Sequence, residues 1–586
     1  MANKLTICGD LSASGNIYGT IPGANHVNTG TGSYNTWSGT GSFGSVLGAA
    51  TDNTGYGYNV LPNLTTGTHN TAFGSNAARD TTTSSSGVAI GAHALRANST
   101  GGGNTAVGRS SLLSNTTGAS NIALGTSSMI TNTTGARNTA LGTNSLYLNT
   151  TGVDNTAVGI YAMCCNTGAS YSTAIGRMAM CGSTGGQNTA IGNRSLQCVT
   201  GIKNTGLGGA TLRGNTSGVC NTASGYASMY TNTTGSNNTA SGYASMYTNT
   251  TGTYNTASGV RALYSNTTGT YNVAYGATTL EANTTGNQNT ALGSRSLVSN
   301  TTGCINVAVG YVSLYNNTTG NMNVAVGRGA MYANTTGGDN TASGYNSLKF
   351  NTTACQNSAY GKQSLFANTT GKYNTAVGMS ALQNNTTAHY NTAVGNQSLL
   401  SNTTGAYNAA VGMNALNKNT TGTHNTAVGN RAAYQTTTGS SNTASGSYSL
   451  YKNTTGASNT ATGTSSLYSN TTGNCNTATG ANALQANTTG SLNAAIGVKA
   501  LCKNTTGTRN TASGTYAMLC NTSGACNTAT GYNALFTNTT GGLNAAFGLC
   551  ALISNTTASY NTAVGACTLF ANTTGAYNTG VGFKAL

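Results

Sequence analysis

Asn374-Thr-Ala-Val-Gly378, followed by Ala381-Leu382 and then by Asn385-Thr-Thr387, is one copy of a seventeen-residue unit whose next copies begin at Asn391 and Asn408. The pattern, close to Asn-Thr-Ala-Val-Gly-x-x-Ala-Leu-x-x-Asn-Thr-Thr-Gly-x-x, runs from Asn53 to the last residue, Leu586. Thirty-two copies start between Asn53 and Asn578, and the fifth slot is glycine in every one. Only the copies at Ser172 and Asn188 are shorter, at sixteen residues. A period this regular makes each copy one turn of a stacked structure.

Slots 1 to 5 carry β-branched residues in alternation, which suits a short strand. The uniform glycine at slot 5, as in Gly378, Gly395 and Gly412, marks a corner that needs a positive φ or an approach no Cβ permits. Slot 9 is Leu or Met in every copy but two, where Ala78 and Ala433 stand. Leu382, Leu399 and Leu416 are therefore expected to point inward. Asn-Thr-Thr-Gly at slots 12 to 15 reads as a turn, with Asn bonding its own backbone and Gly in the left-handed conformation. Asn, Thr and Gly are poor helix formers, and two glycines per copy leave no continuous apolar stripe. The fold class is therefore all-β, a parallel β-solenoid or β-roll of about 32 rungs. At about 4.8 Å per rung the expected rod is on the order of 150 Å long.

The expected core is thin. Slot 4 wanders from Val and Ile to Ser224, Ser241, Thr462 and Tyr275, leaving two modest apolar residues per rung to offset the ordering of seventeen. Stacked Asn at slots 1 and 12 would add hydrogen bonds along the axis. A second source of burial is needed, and three chains around one axis would supply it, so a homotrimer is expected.

Composition narrows the function. Only 5% of residues are charged, and the net charge is +16. Within the copies every Lys, Arg, Asp and Glu falls at slots 6, 7, 10, 11, 16 or 17, as Arg109, Arg194, Lys418, Lys372 and Arg509 illustrate. These are solvent-facing slots, since a thin core does not tolerate unpaired charge. The charge is spread along the chain and reads as solubility, without a specific nucleic-acid site. The 14 cysteines are sparse for this length. Same-slot pairs in adjacent rungs, such as Cys550 and Cys567, would lie roughly 5 Å apart, within disulfide range, with free surface thiols as the equal alternative. The five scattered His give no metal-site pattern. Asp is missing from the turns, so calcium is not expected either. No cofactor is implied. The start, Met1-Ala-Asn-Lys-Leu-Thr-Ile-Cys-Gly-Asp10, lacks the apolar run of a secretory signal, and no stretch approaches a membrane span.

Residues 1–52 break the period and read as an attachment or capping segment, ahead of a repeat rod over 53–586. Leu5-Thr-Ile7 and Leu11 to Tyr18 read there as short strands, and the sole tryptophan, Trp37, lies in a degenerate first rung. The chain stops at Leu586, in the ninth slot of a copy, so the end is expected either to continue in a longer gene or to dock on another subunit.

The Asn-Thr-Ala-Val-Gly…Ala-Leu…Thr-Gly motif resembles the head repeats of trimeric autotransporter adhesins, which form trimeric left-handed β-rolls with a usually shorter period. Gly9-Asp-Leu-Ser-Ala-Ser-Gly-Asn-Ile-Tyr-Gly19 resembles segments near the start of phage and viral tail-fibre proteins. The chain shows neither the signal peptide and membrane barrel of an autotransporter nor the self-cleaving chaperone that ends many tail fibres. The resemblance implies a trimeric fibre, with a virion or an extracellular appendage as its place.

Enzymatic chemistry is not expected, because six acidic residues in 586 furnish no carboxylate pair and no Ser/His/Asp or Cys/His group falls on one rung. The Asn-Thr-Thr triplets at Asn132 and Asn470 are formal glycosylation sequons but read as turns. An ice-binding solenoid is weighed and set behind, since adjacent Thr at slots 13 and 14 leave only single files. The expected function is a structural fibre, acting as rigid spacer and in host attachment. Its partners would be other copies of itself, neighbouring virion or filament subunits, and a host glycan or protein. The alternative is a self-assembling extracellular filament of end-to-end rods. Exposed tyrosines at slots 10 (Tyr230, Tyr247, Tyr264) and 17 (Tyr254, Tyr271) are the candidate contact residues, with stacking on the next rung as their competing role.

Overall fold

Asn-Thr-Ala-Val-Gly does become a strand, though a short one: only slots 2 to 4 are extended, and they repeat as three-residue strands. The computed structural model describes residues 34–43 and 49–586. Contacts divide the chain into two units, Met1–Ala277 with Asn283–Thr285, and Thr278–Ala282 with Gly286–Leu586. The first holds strands β1 (Thr36–Ser38) to β15 (Val273–Tyr275), the second β16 (Thr290–Leu292) to β33 (Thr579–Val581). Within each unit consecutive strands pair parallel and in register, so each unit is a parallel β-solenoid. There is no helix among the described residues. Trp37 lies in β1, which already pairs with β2 (Thr54–Tyr56). The segments Leu5–Ile7 and Leu11–Tyr18 lie outside the described residues.

The interior differs from the sequence expectation at slot 4. With three residues in a strand, slots 2 and 4 share a face and slot 3 points the other way. Slot 3 is the inward one: Ala376, Ala393 and Ala410 are fully buried, whereas Ile90, Tyr275 and Tyr360 at slot 4 are 40 to 48% exposed. The core of a rung is therefore Ala at slot 3, Ala or Ser at slot 8, and Leu or Met at slot 9, with Leu382, Leu399 and Leu416 fully buried.

Asparagine completes that core, and it is fully buried too. At slot 12, Asn385 Nδ2 donates to Asn368 Oδ1 of the preceding rung (2.9 Å) and to the Ala388 carbonyl three residues on (3.1 Å). Asn402 Nδ2 then donates to Asn385 Oδ1 (2.9 Å). At slot 1, Asn374 Oδ1 accepts from the backbone N–H of Asn391 (3.0 Å), while Asn374 Nδ2 reaches the Ala388 carbonyl (2.9 Å). Two amide ladders thus run inside the wall. The short copies respect this logic, because they shorten the turn where the slot-12 amide is replaced, by Ser183 and Val199. Ser183 Oγ donates to the Leu196 carbonyl and accepts from Val199 N–H, and the strands Thr173–Ile175, Thr189–Ile191 and Thr205–Leu207 stay in register.

The backbone turns by left-handed residues that are not glycine. Slots 7, 9 and 17 all have positive φ, as Ser380 (57°), Leu382 (51°) and Tyr390 (59°) show. Each such residue costs about 1–2 kcal/mol in a free chain. Each also donates its N–H to a neighbouring rung: Ser380 to Lys362 O (2.9 Å), Leu382 to Ser398 O (3.0 Å) and Tyr390 to Lys372 O (3.1 Å). The bond, and at slot 9 the burial of a leucine worth about 1.5–3 kcal/mol, offset the strain. The slot-15 glycine, expected to be left-handed, is not; a Cβ on Gly371 would meet the Asn368 and Asn385 side-chain amides within 3 Å, so the slot favours Gly, although Ala354 and Ala388 also fill it. Slot 5 meets both conditions at once. Gly378 has φ +128°, and its Cβ would lie 2.6 Å from the Gly395 carbonyl.

Two substitutions test this frame. Gly395→Ala, at φ +132° and 2.5 Å from Gly412 O, is expected to cost at least about 2 kcal/mol. Amide exchange in Thr392–Val394 and Ala409–Val411 should accelerate accordingly, and unchanged protection would contradict the steric account. Thr436 interrupts the slot-12 ladder, leaving Asn419 Oδ1 and its own Oγ1 buried without a partner. Thr436→Asn should restore donation to Asn419 and raise local stability by about 1–3 kcal/mol, read as slower exchange in the flanking rungs.

Candidate functional site

Each rung is a fixed wall carrying a variable skin, and the two turns between the slot-5 glycine and the slot-12 asparagine bring slots 6, 7 and 10 to one edge. In those turns the slot-8 N–H bonds the slot-5 carbonyl and the slot-12 N–H bonds the slot-9 carbonyl, as in Ala381 to Gly378 (3.3 Å) and Asn385 to Leu382 (3.1 Å). The resulting proximity is visible where the Arg261 guanidinium of slot 7 lies 4.7 Å from the centre of the Tyr264 ring of slot 10.

Same-slot residues in adjacent rungs stack. Tyr230, Tyr247 and Tyr264 form one file with ring centres 5.0 and 5.2 Å apart and planes within 9°. On the other turn Tyr254 and Tyr271 stack at 4.9 Å, and both are about half exposed. In the second unit Tyr373, Tyr390 and Tyr407 repeat the slot-17 arrangement at 4.8 and 5.0 Å. Each such pair adds about 0.5–1.5 kcal/mol beyond its buried area. Within a file the ring faces cover one another, so the outer surface presents ring edges and hydroxyls.

The structure adds residues that sequence reading missed. Tyr226 and Tyr243, at slot 6, form a second file 5.9 Å apart and remain 60 and 56% exposed. Ala227 and Ala244, at slot 7 between the two files, are buried. Two tyrosine walls and an alanine floor, with Arg261 at one end, enclose a groove of about 440 Å³. The signal for it was present: Asn-Thr-Ala-Ser-Gly-Tyr-Ala-Ser-Met-Tyr-Thr-Asn-Thr-Thr-Gly occurs identically at Asn221 and Asn238. The groove lining holds no carboxylate, and Asp80 and Asp154 pair with Arg79 (2.8 Å) and Arg137 (2.7 Å) on other rungs. It offers hydroxyl donors and positive charge rather than acid–base chemistry.

Cysteines follow the same stacking rule. Cys164 and Cys181, both at slot 10, form a disulfide with Cα atoms 5.1 Å apart. Cys550 and Cys567 at slot 7 are free thiols, and burial pushes the Cys550 thiol up. Cys165 brings a third sulfur within 4.8 Å of the disulfide pair. With two of the three sulfurs bonded to each other, this group offers a metal only one thiolate. The sequon residues Asn132 and Asn470 are ladder members, fully buried, with their Nδ2 atoms bonded to Asn115 and Asn453. At slot 13 the threonine hydroxyl donates to the next rung, as Thr386 to Thr403 O (3.1 Å), which leaves slot 14 as the exposed threonine file. No family model matches the chain, and no curated protein matches it.

Tyr247, in the middle of its file, has its phenol pushed above the ordinary range, first by burial and then by the neighbouring Tyr230 and Tyr264. Below about pH 10 the phenol is neutral in both folded and unfolded chains. Above that the unfolded chain ionises first, so stability at this rung falls with rising pH until the folded phenol ionises too. An alkaline absorbance titration should show a late tyrosine component that Tyr247→Phe removes. A titration unchanged by that substitution would contradict the assignment.

Proposed function

We propose that the protein is a structural fibre subunit, a homotrimeric spacer of a virion tail fibre or a surface appendage. The observation that carries the reading is the file of exposed apolar side chains at slot 4. Phe73, Ile90, Leu124, Ile175, Ile191 and Leu207 in the first unit, and Val377, Val411 and Val428 in the second, project from the strand face, each 37 to 44% exposed. Such a strip, unbroken over the successive rungs from Tyr56 to Leu207 and again from Tyr360 to Val428, is what a monomer in water avoids and a second copy covers.

The thin core expected from the sequence asks for extra chains, yet the buried Asn ladders and slots 3 and 9 fill each rung. What asks for a partner is the outward slot 4. The remaining skin varies without disturbing the frame, which suits a spacer that presents contact residues. Host attachment through the tyrosine-bearing edges, and an extracellular or virion location, belong to the same proposal. So does the lack of an enzymatic role, supported by a groove without carboxylates.

Light scattering in native buffer should give three times the chain mass of 58.4 kDa, and a monomer mass would sink the trimer. Val377→Glu, Val394→Glu and Val411→Glu together should lower that mass while leaving the far-ultraviolet spectrum unchanged, because these side chains point outward. Electron microscopy of the native source separates discrete fibres on a particle from indefinitely long end-to-end filaments.

A further inference from the structure

The tyrosine groove of the first unit sits in a stretch of the chain whose charge is all of one sign. No acidic residue occurs between Asp154 and Glu281, while Arg177, Arg194, Lys203, Arg213 and Arg261 all do. The four arginines occupy slots 6, 7 and 10, the edge that carries the groove. Arg213 heads the slot-10 file, with its Nη1 donating to the Tyr230 hydroxyl at 2.6 Å and its guanidinium 5.6 Å from that ring's centre. Arg261 closes the other end, 4.7 Å from the centre of Tyr264. Cationic groups therefore bracket a trough of phenol hydroxyls and ring edges.

We propose that this groove binds an acidic polysaccharide laid along the stacking direction, with carboxylate or sulfate groups toward Arg213 and Arg261. Three observations select this ligand class. Within each file the facing ring surfaces cover one another, and Arg213 lies by the end ring Tyr230, so little platform is left on which bases could stack and single-stranded nucleic acid loses part of its aromatic contact. The floor is only Ala227 and Ala244, too narrow for the apolar anchors of a peptide. The walls repeat once per rung, presenting the same hydroxyl edge at 5.0 to 5.9 Å intervals, and a regular polymer of hydroxylated rings answers a regular wall. Arginine supplies forked donors for carboxylate or sulfate oxygens. The inference deepens the attachment role proposed above and rests on it. Its failure would leave the scattering mass unchanged, so the two readings fail separately.

The test uses the full chain with alginate, dextran sulfate and neutral dextran as probes, and oligothymidylate as comparator, titrated calorimetrically at fixed salt. Alginate or dextran sulfate should bind and neutral dextran should not, and the two acidic arms distinguish carboxylate from sulfate recognition. Arg213→Gln with Arg261→Gln should weaken binding by about tenfold or more. Tyr243→Ala, at an exposed wall position, should weaken it too, while Tyr373→Ala in the other unit's file should leave it unchanged. A circular dichroism spectrum matching the parent confirms that each variant is folded. Equal binding by the double arginine variant, equal binding of neutral dextran, or tighter binding of oligothymidylate would each overturn the proposal.

Discussion

The buried asparagine amide is the interaction on which the rest of the structure depends. An amide in an apolar interior costs several kcal/mol unless its donors and acceptor are matched, and the wall here buries two per rung. They are satisfied chiefly by the asparagines of adjoining rungs, as Asn368, Asn385 and Asn402 satisfy one another, and by slot-15 carbonyls. That requirement forces identical residues into identical positions one strand spacing apart. It explains why the period is so strict, and why only small residues, glycine or at most alanine or serine, stand at slot 15, where the amides of two successive rungs converge.

Stacking at that spacing also makes the strained backbone tolerable. Three residues per rung hold a left-handed conformation, among them leucines and the β-branched Val312 and Ile305. A single strained turn would relax, but here the N–H at each strained slot is tied to an adjacent rung. The slot-5 glycines join both demands, a positive φ and an approach like that of Gly378 to the carbonyl of Gly395. Frame and strain are two sides of one constraint: what fixes the rung also frees slots 6, 7, 10, 11, 16 and 17 to vary.

That freedom is where the proposed recognition resides. Tyr230, Tyr247 and Tyr264 were legible as a candidate file because they recur at one slot, and Tyr254 and Tyr271 for the same reason. Tyr226 and Tyr243 were not, although their copies are identical, because nothing in the period says which slots share an edge. That fact comes from the paired turns, whose left-handed residues at slots 7 and 9 no residue preference announces. Slot 4 misled for a related reason. Val and Ile suggest burial, but the interior is too narrow for them beside the amides and admits only Ala or Gly at slot 3. The tolerance of slot 4 for Tyr275, Tyr360 and Ser241 was the available sign that it faces out.

The sequence by itself determined the stacking, its period, the slot-5 corner, the inward slot 9 and the amide ladders. These follow from repetition, because a residue that recurs at every turn must meet its own copy. Only the tertiary structure decided the inward slot 3, the outward slot 4, the left-handed turns and the groove between the Tyr226 and Tyr230 files. Those depend on the direction each side chain takes within a rung. That direction is set by the width of the interior and the backbone bonds to neighbouring rungs, and by no pattern along the chain.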